Sequence, residues 1–572
     1  MSLLSNIAVY AAYPALIWSS VVYLVQSIGI FQVFRGYSRP PRRPVSPSLS
    51  DHLVPHITII RPVKGLEPQL YECLASTFRQ TYPRSKLTVN LCVSSEDDPA
   101  YPVLEKIVDD FGSSGNGEGY DVRLLVEEYD PLISGLDGNE LGPNPKIRNI
   151  SRAYREAPAD SLIWIMDCNV WISRDVAGRM VDKLMGFLPG GRTTTPYKLV
   201  HQLPLVVDIP PSDEDNNKKK PAPGDQEQAG LLSKAWHQGG GRLDEMFMAT
   251  THAKFYSAIN TVGVAPCVIG KSNMFRKAHL DIYTQPSHNP RLSPGDAARG
   301  TGVDFFSSYI CEDHLISDLL WNAPIPPDTT TAPPRPYGNH ALIPGDLAIQ
   351  PVARVPMPAY WARRVRWLRV RKWTVLLATL VEPGVESLLC NLYFAYAATT
   401  LPFFSTTFGI PQTWAATAAL WAGGVTAWMA CDRAVHARLH SCACVDPVDD
   451  GAPFFARGTE VTRRGFGEWL PAWLGRELLA LPIWTWAVLL GTTVTWRGKS
   501  FRVRSDMSVV ALESAKGSDS GNGTANRSAV GDKSWEVEQD GQGVRPGQHQ
   551  DVPRWEGRPT ATHRKSRSYV KE

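Results

Sequence analysis

Carboxylates stand at the ends of several short apolar runs, where a chain most readily builds a polar site. Glu96, Asp97 and Asp98 follow KLTVNLCV (86–93), Asp167 follows SLIWIM (161–166) in the tripeptide DCN, and Glu312 and Asp313 head CEDHLISDLLW (311–321). A carboxylate closing a buried strand is costly unless it meets a cation or donors, and with a neighbouring oxygen such as that of Asn169 it can hold a hard divalent ion. Farther on, RRVRW (363–367) offers Arg363 and Arg366, whose planar forks suit phosphate, beside Trp367. Each group also has a plainer explanation. Asp97 and Asp98 can cap a turn before Pro99, Asp313 can meet a helix dipole, and AYWARRVRWLRVRK can be an interfacial helix with Arg369, Arg371 and Lys372 anchored to lipid. His201 alone reads as a satisfied half-buried histidine and Gly270 as a turn glycine. His436, His440, Cys442 and Cys444 in HARLHSCACVDP (436–447) fit no standard zinc spacing.

These residues need strands and helices to hold them. HITIIRPVKG (56–65), KLTVNLCV, DVRLLVEE (121–128) and SLIWIM read as strands, with EPQLYECLASTFRQ (67–80) and NPKIRNISRAYREA (144–157) as helices between them. Such alternation predicts an α/β fold, a mostly parallel sheet with helices on both faces, and ligands at the carboxyl ends of the strands. YKLVHQLPLVV (197–207) and APCVIGKSNMFRK (265–277) belong to the same core as strands or turns, and CEDHLISDLLW opens a helix. Residues 208–245 and 281–302 read as insertions or loops, and the Pro-rich 322–358 as loop.

Hydropathy divides the rest. The chain has 572 residues and a net charge of +3, which gives no case for a nucleic-acid partner. Residues 8–34 are apolar for longer than the ~20 needed to cross a bilayer. Arg35, Arg39, Arg42 and Arg43 follow, so 1–36 reads as a retained anchor with a cytosolic C-terminal flank. Runs at 387–408, 412–431 and 478–496 approach spanning length. The expected organisation is a cytosolic domain at 37–358, an amphipathic interfacial helix at 359–381 with RRVRW, a membrane region at 382–505 with about three embedded helices, and a disordered tail at 506–572. The nine cysteines show no disulfide framework. If all three late runs cross, the basic WRGKSFRVR (496–504) falls on the lumenal side, against the positive-inside tendency.

In order, Asp97, Asp167, Asp313 and RRVRW resemble the D, D, D, (Q/R)xxRW pattern of membrane-bound family 2-like and family 21 glycosyltransferases. RPVKGLEP, SSEDDPA, NPKIRN, KLVHQLP, CVIGKSNMFRK, CEDHL and WRGKSFRVR narrow the resemblance to the fungal ceramide glucosyltransferases, over about residues 5–505. It implies a GT-A-like, Rossmann-like catalytic domain, UDP-glucose as donor, ceramide as acceptor, an inverting transfer, and Mg²⁺ or Mn²⁺ as cofactor. It also implies a protein of Golgi or endoplasmic reticulum membranes. Asp313 becomes the base, Asp167 and Asn169 the metal and diphosphate site, and Lys64, Glu67, Asp97, Asp98 and Lys146 the donor site. Arg363, Arg366 and Trp367 form the motif at the lipid boundary, and His201 and Gly270 lie in the donor or acceptor site. DCN departs from the pattern in lacking a second aspartate. Processive polysaccharide synthases and dolichol-phosphate sugar transferases share the motif set or the fold and are the rival readings.

Overall fold

The computed structural model describes residues 3–113, 119–134, 141–210, 231–329, 334–447, 449, 451–459 and 462–512. Numbered in chain order, the helices that matter are α1 (Leu3–Gly36), α2 (Leu70–Ala75), α3 (Tyr101–Phe111), α4 (Pro145–Arg155), α5 (Val176–Met185), α6 (Gly240–Phe247), α7 (Ala253–Val262), α8 (Glu312–Asn322), α9 (Met357–Arg371), α10 (Ser387–Thr400), α11 (Trp414–His440) and α12 (Phe466–Trp484). The strands are β1 (Ile57–Pro62), β2 (Leu87–Val93), β3 (Asp121–Val126), β4 (Leu162–Met166), β5 (Tyr197–Asp208), β6 (Ser272–Arg276), β7 (Gly338–Val352), β8 (Thr493–Trp496), β9 (Lys499–Val503) and β10 (Val509–Leu512).

Period-two alternation in apolar strands builds the central sheet, because successive side chains enter opposite layers. Ile57, Ile59, Trp164 and Met166 pack with α2, α3 and α5 on one face, while Ile60, Ile163 and Ile165 pack with α4 and α8 on the other. The strand order is β3-β2-β1-β4-β6-β5-β7. β1 to β4 pair in parallel, as do β5 and β7, whereas β6 runs antiparallel to both of its neighbours. The expected α/β class holds, with a mixed sheet.

β7 lies within the stretch expected to be loop. Its sequence is split by Pro344 and Gly345, and its register against β5 jumps between His201 and Leu203, so the strand pairs on either side of an irregularity that hides it from pattern reading. The expected insertion at 208–245 is also shorter than thought. Residues 211–230 lie outside the described residues, but α6 is well buried and runs through a π turn, Met248–His252, into α7.

The far ends of β5 and β7 dock on the apolar helices. Leu203, Leu205, Val207, Leu347 and Ile349 share a core with Val33 and Tyr37 at the end of α1, Tyr256 of α7, and Val435 and Leu439 of α11. α1 spans about 51 Å at ~1.5 Å per residue, and Ile7, Tyr10, Ile17, Leu24 and Phe31 leave a row of large side chains exposed along it. Among the described residues, α1 is the one helix that alone is long and apolar enough to cross a membrane; α10 with Pro402–Phe408 passes the same test only as a pair bent by 74°. The run at 478–496 is not one segment. Its helix starts earlier, at Phe466, ends in a π turn at Thr485–Leu489, and gives way to β8, whose Thr-Val-Thr-Trp sequence favours extended chain. β8, β9 and β10 form a small antiparallel sheet, so residues 506–512 are not tail; 513–572 lie outside the described residues.

Candidate active site

The sheet reverses its winding at β1, which has β2 on one side and β4 on the other. Chains leaving such strands diverge and open a crevice at their carboxyl ends. Three loops border it: Lys64–Glu67 after β1, the turn carrying Asp97 and Asp98 after β2, and Asp167-Cys168-Asn169 after β4. Fully buried Arg61 pins the third loop from below, donating from Nη2 to the carbonyls of Cys73 (2.6 Å), Val170 (3.0 Å) and Cys168 (3.4 Å).

At the centre is a cluster of opposite charges. Lys146, in the first turn of α4, reaches Asp167 Oδ1 at 3.2 Å and Glu312 Oε1 at 3.1 Å. Lys271, just before β6, reaches Asp167 Oδ2 at 2.9 Å. Asn144 caps α4 through the amides of Lys146 and Ile147 and donates from Nδ2 to Glu312 Oε2 at 3.2 Å, which fixes α4 against the head of α8. Burial alone would favour a neutral Asp167, but the two ammonium groups hold its carboxyl well below the usual range, and its neighbours raise Lys146 in turn. Among the described residues Asp313 makes no ion pair; burial raises its pKa, only partly opposed by Lys146 and by amides at the head of α8. Gly270 completes the wall. A Cβ there would sit 3.1 Å from both Asp313 Oδ2 and Lys146 Nζ, so the glycine lets base and cation approach.

α9 lies beside this cluster. Burial, with Arg363 and Arg497 nearby, lowers the Arg366 guanidinium to about 10, against the pull of Glu312 and Asp167. Arg366 lies over the Trp496 ring at 5.6 Å and, among the described residues, forms no ion pair. Arg363 donates to Asp244 Oδ2 at 2.7 Å and lies over Trp367, which packs against Phe247. The expectation that Arg369, Arg371 and Lys372 are lipid anchors fails. Arg369 is buried and donates to the carbonyls of Trp486, Ala487 and Thr493, Arg371 pairs with Glu382, and Lys372 donates to the Val488 carbonyl. Arg369 and Lys372 satisfy carbonyls left open where the helix after α12 ends. The interfacial helix expected at 359–381 ends at Arg371, before a second short helix.

The other expected residues divide. Asp98 is spent on backbone, accepting from the amides of Gly65 (2.9 Å) and Ala100 (2.9 Å), so it staples the first two loops together. Asp97 is exposed on the same turn, and Glu67 is half-buried. Lys64 donates to the Arg497 carbonyl at 2.9 Å. His201 is fully buried in β5, with Nδ1 2.6 Å from the Tyr256 hydroxyl and burial holding it near 3, so it does not line the crevice. The zinc grouping also fails. His436 and His440 stack on one face of α11 toward Glu245, which already pairs with Arg464 (3.0 Å), while Cys442 and Cys444 pack with Val33 and Tyr37. Lys271, Glu312 and Arg497 were not singled out from sequence as site residues. The visible signals were a lysine before a buried strand, a carboxylate doubled at a helix head, and a basic turn inside WRGK.

A divalent cation finds oxygen donors of the right class at Asp167 and at Asn169, whose Oδ1 is buried and unpartnered. Lys146 and Lys271 compete for the same aspartate.

The model of "Glycosyl transferase family 21" matches residues 21–208 and 335–509. A ceramide glucosyltransferase of Pyricularia oryzae is 56% identical over 520 residues, covering 90% of this chain and 98% of its own. One from Gibberella zeae is 46% identical over 507 residues, covering 86% and 92%. Among solved structures, a mannosyltransferase from Pyrobaculum calidifontis in complex with GDP-Man and Mn²⁺ aligns over 75% of this chain and 98% of its own, at 14% identity and a TM-score of 0.35, too loosely to build on.

Proposed function

The chain belongs to glycosyl transferase family 21, and from that premise we propose that it moves glucose from UDP-glucose to the primary hydroxyl of ceramide with inversion. The products are β-glucosylceramide and UDP. One observation carries the chemistry: a half-buried carboxylate, Asp313, which among the described residues forms no ion pair, stands across Gly270 from Lys146 in the cavity that the two line together.

In the proposed step the ceramide oxygen attacks C1 of glucose as Asp313 takes its proton, and the bond from C1 to the β-phosphate oxygen breaks on the opposite face. The electron pair of that bond leaves on UDP. Asp313, kept above the usual aspartate pKa by burial, is a stronger base than an exposed aspartate, and a positioned base contributes about 10²- to 10⁴-fold. Lys146, Lys271 and Arg366 line the path of the departing charge, the electrostatic contribution that is often largest. Mg²⁺ or Mn²⁺ held by Asp167 and Asn169 would add charge neutralisation at the diphosphate.

Topology follows from where the chain returns. The Val509 amide donates to the Ser308 carbonyl at 2.9 Å and Lys64 to that of Arg497, so the small C-terminal sheet shares a side with the catalytic domain. The chain between them therefore crosses the bilayer an even number of times. An even count leaves WRGKSFRVR in the cytosol, in keeping with the positive-inside tendency. The protein is accordingly integral to Golgi or endoplasmic reticulum membranes with its catalytic domain facing the cytosol. Membranes carrying the chain, given labelled UDP-glucose and ceramide, should yield a lipid-extractable β-glucoside; label confined to insoluble polymer would refute the reading.

A further inference from the structure

The small sheet of β8 to β10 follows the apolar helices and has no part in the chemistry so far. It packs on two segments that do. Val494, Phe501, Val503 and Val509 share a core with Cys311, which immediately precedes Glu312, and with Val370 of α9. The sheet is thus clamped between the head of the base-bearing helix and the RRVRW helix. The turn joining β8 to β9 is Arg497-Gly498, both at positive φ (51° and 76°), the geometry of a tight two-residue hairpin turn. That strained turn is fixed by Lys64, whose Nζ donates to the Arg497 carbonyl from the loop after β1.

Two guanidiniums gather at Trp496, with Arg366 and Arg497 each 5.6 Å from its ring centroid. Among the described residues neither guanidinium forms an ion pair. Arg497 is close enough to Cys168 and Glu127 to act on both electrostatically, so it reaches the loop that carries Asp167. Its charge and that of Arg363 depress the Arg366 guanidinium. Cations crowded together in a partly dry crevice are unfavourable without an anion to share.

We propose that the β8–β9 turn is part of the donor site, with Arg497 and Arg366, gathered at Trp496, gripping the diphosphate of a nucleotide sugar together. This deepens the donor assignment made above and rests on it. The C-terminal sheet closes the donor crevice opposite the strand ends, and Lys64 couples the turn to the loop after β1. The ligand chemistry is a nucleoside diphosphate, so the free leaving product should be held as well as the donor.

The test uses full-length protein in detergent and UDP alone as probe. Arg497→Asn suits it, because asparagine tolerates positive φ and Asn-Gly favours the same turn, so the hairpin survives while the guanidinium goes. Hydrogen bonds from a charged donor predict a ten- to hundredfold weaker UDP affinity. KM for UDP-glucose should rise and KM for ceramide should stay unchanged. Arg502→Asn, on the exposed face of β9, should bind UDP as the unmutated protein does. If the unmutated protein binds UDP and Arg497→Asn binds it equally, the inference is wrong while the donor reading stands. If the unmutated protein binds no UDP, both fall.

Discussion

Lys146→Met keeps the length of the side chain and removes the one cation shared by Asp167 and Glu312. At an effective dielectric of about 20, a unit pair at the observed 3.1 to 3.2 Å is worth about 5 kcal/mol before desolvation is counted. Breaking a buried pair by deleting one partner costs roughly 3–5 kcal/mol net, because the stranded charge stays buried. Asp167 keeps Lys271, so most of the loss falls on Glu312, whose Asn144 contact does not neutralise it. Thermal denaturation in detergent should show a clear drop in midpoint. Lys146→Met with Glu312→Gln should recover about 0.5–3 kcal/mol of it as coupling. Activity should not follow stability. Without Lys146 the already raised Asp313 loses the largest influence that lowers it, so the carboxyl picks up its proton at a higher pH and the acid limb of the pH–rate profile moves up. An unmoved limb, or a double variant no more stable than the single one, would refute the shared-cation account.

Asp313→Asn should bind UDP-glucose normally yet lose about 10²- to 10⁴-fold in transfer; retained transfer at saturating donor would remove Asp313 as base. In the unmutated enzyme, transfer should fail on acidification at a pH above the ~3.9 of an ordinary aspartate, since burial raises the base, and a pH–rate profile in membranes reads this directly. Arg366→Lys keeps the charge and loses the planar fork, so transfer should fall at least tenfold while membrane fractionation is unchanged; Arg502→Lys should have no effect, and equal effects at both positions would refute the assignment. The NRS sequon at Asn526 should stay unglycosylated in microsomes, because an even number of crossings puts the C-terminal sheet in the cytosol; a glycosylated tail would overturn the topology.

Local pattern carried the first half of the sheet. β1, β2 and β4 are unbroken apolar runs ending at polar turns, and helix α4 starts at an asparagine cap followed by proline, so their ends, and with them Asp167, could be read directly. β7 could not, because Pro344-Gly345 interrupts it and its register shift is visible only against β5. The site's partners were hidden for another reason. Asp167 meets Lys271 across 104 residues and Lys64 meets Arg497 across 433, and nothing in local spacing encodes such pairings. The partner of the histidine pair of α11 was hidden the same way: Glu245 comes from a helix 191 residues earlier that the sequence assigns to an insertion.

These long-range contacts also decide which part of RRVRW is chemistry. The helix carries six cations from Arg363 to Lys372, a density that suits an anionic bilayer equally well. Five are spent inside the protein. Arg363 answers Asp244, Arg364 and Arg371 share Glu382, and Arg369 and Lys372 satisfy carbonyls beyond α12. These bonds tie α9 to the inserted helix, to Glu382 and to the segment after α12. Among the described residues Arg366 alone of the six forms no ion pair or hydrogen bond to an acceptor; it lies over Trp496, within electrostatic reach of Glu312 and Asp167. Large apolar side chains are exposed along α1, at Ile17, Leu24 and Phe31, whereas α9 from Met357 to Arg371 exposes none. A motif whose composition suits a membrane anchor thus spends most of its cations inside the protein and leaves one guanidinium beside Trp496, which is the placement the proposed donor role of Arg366 requires.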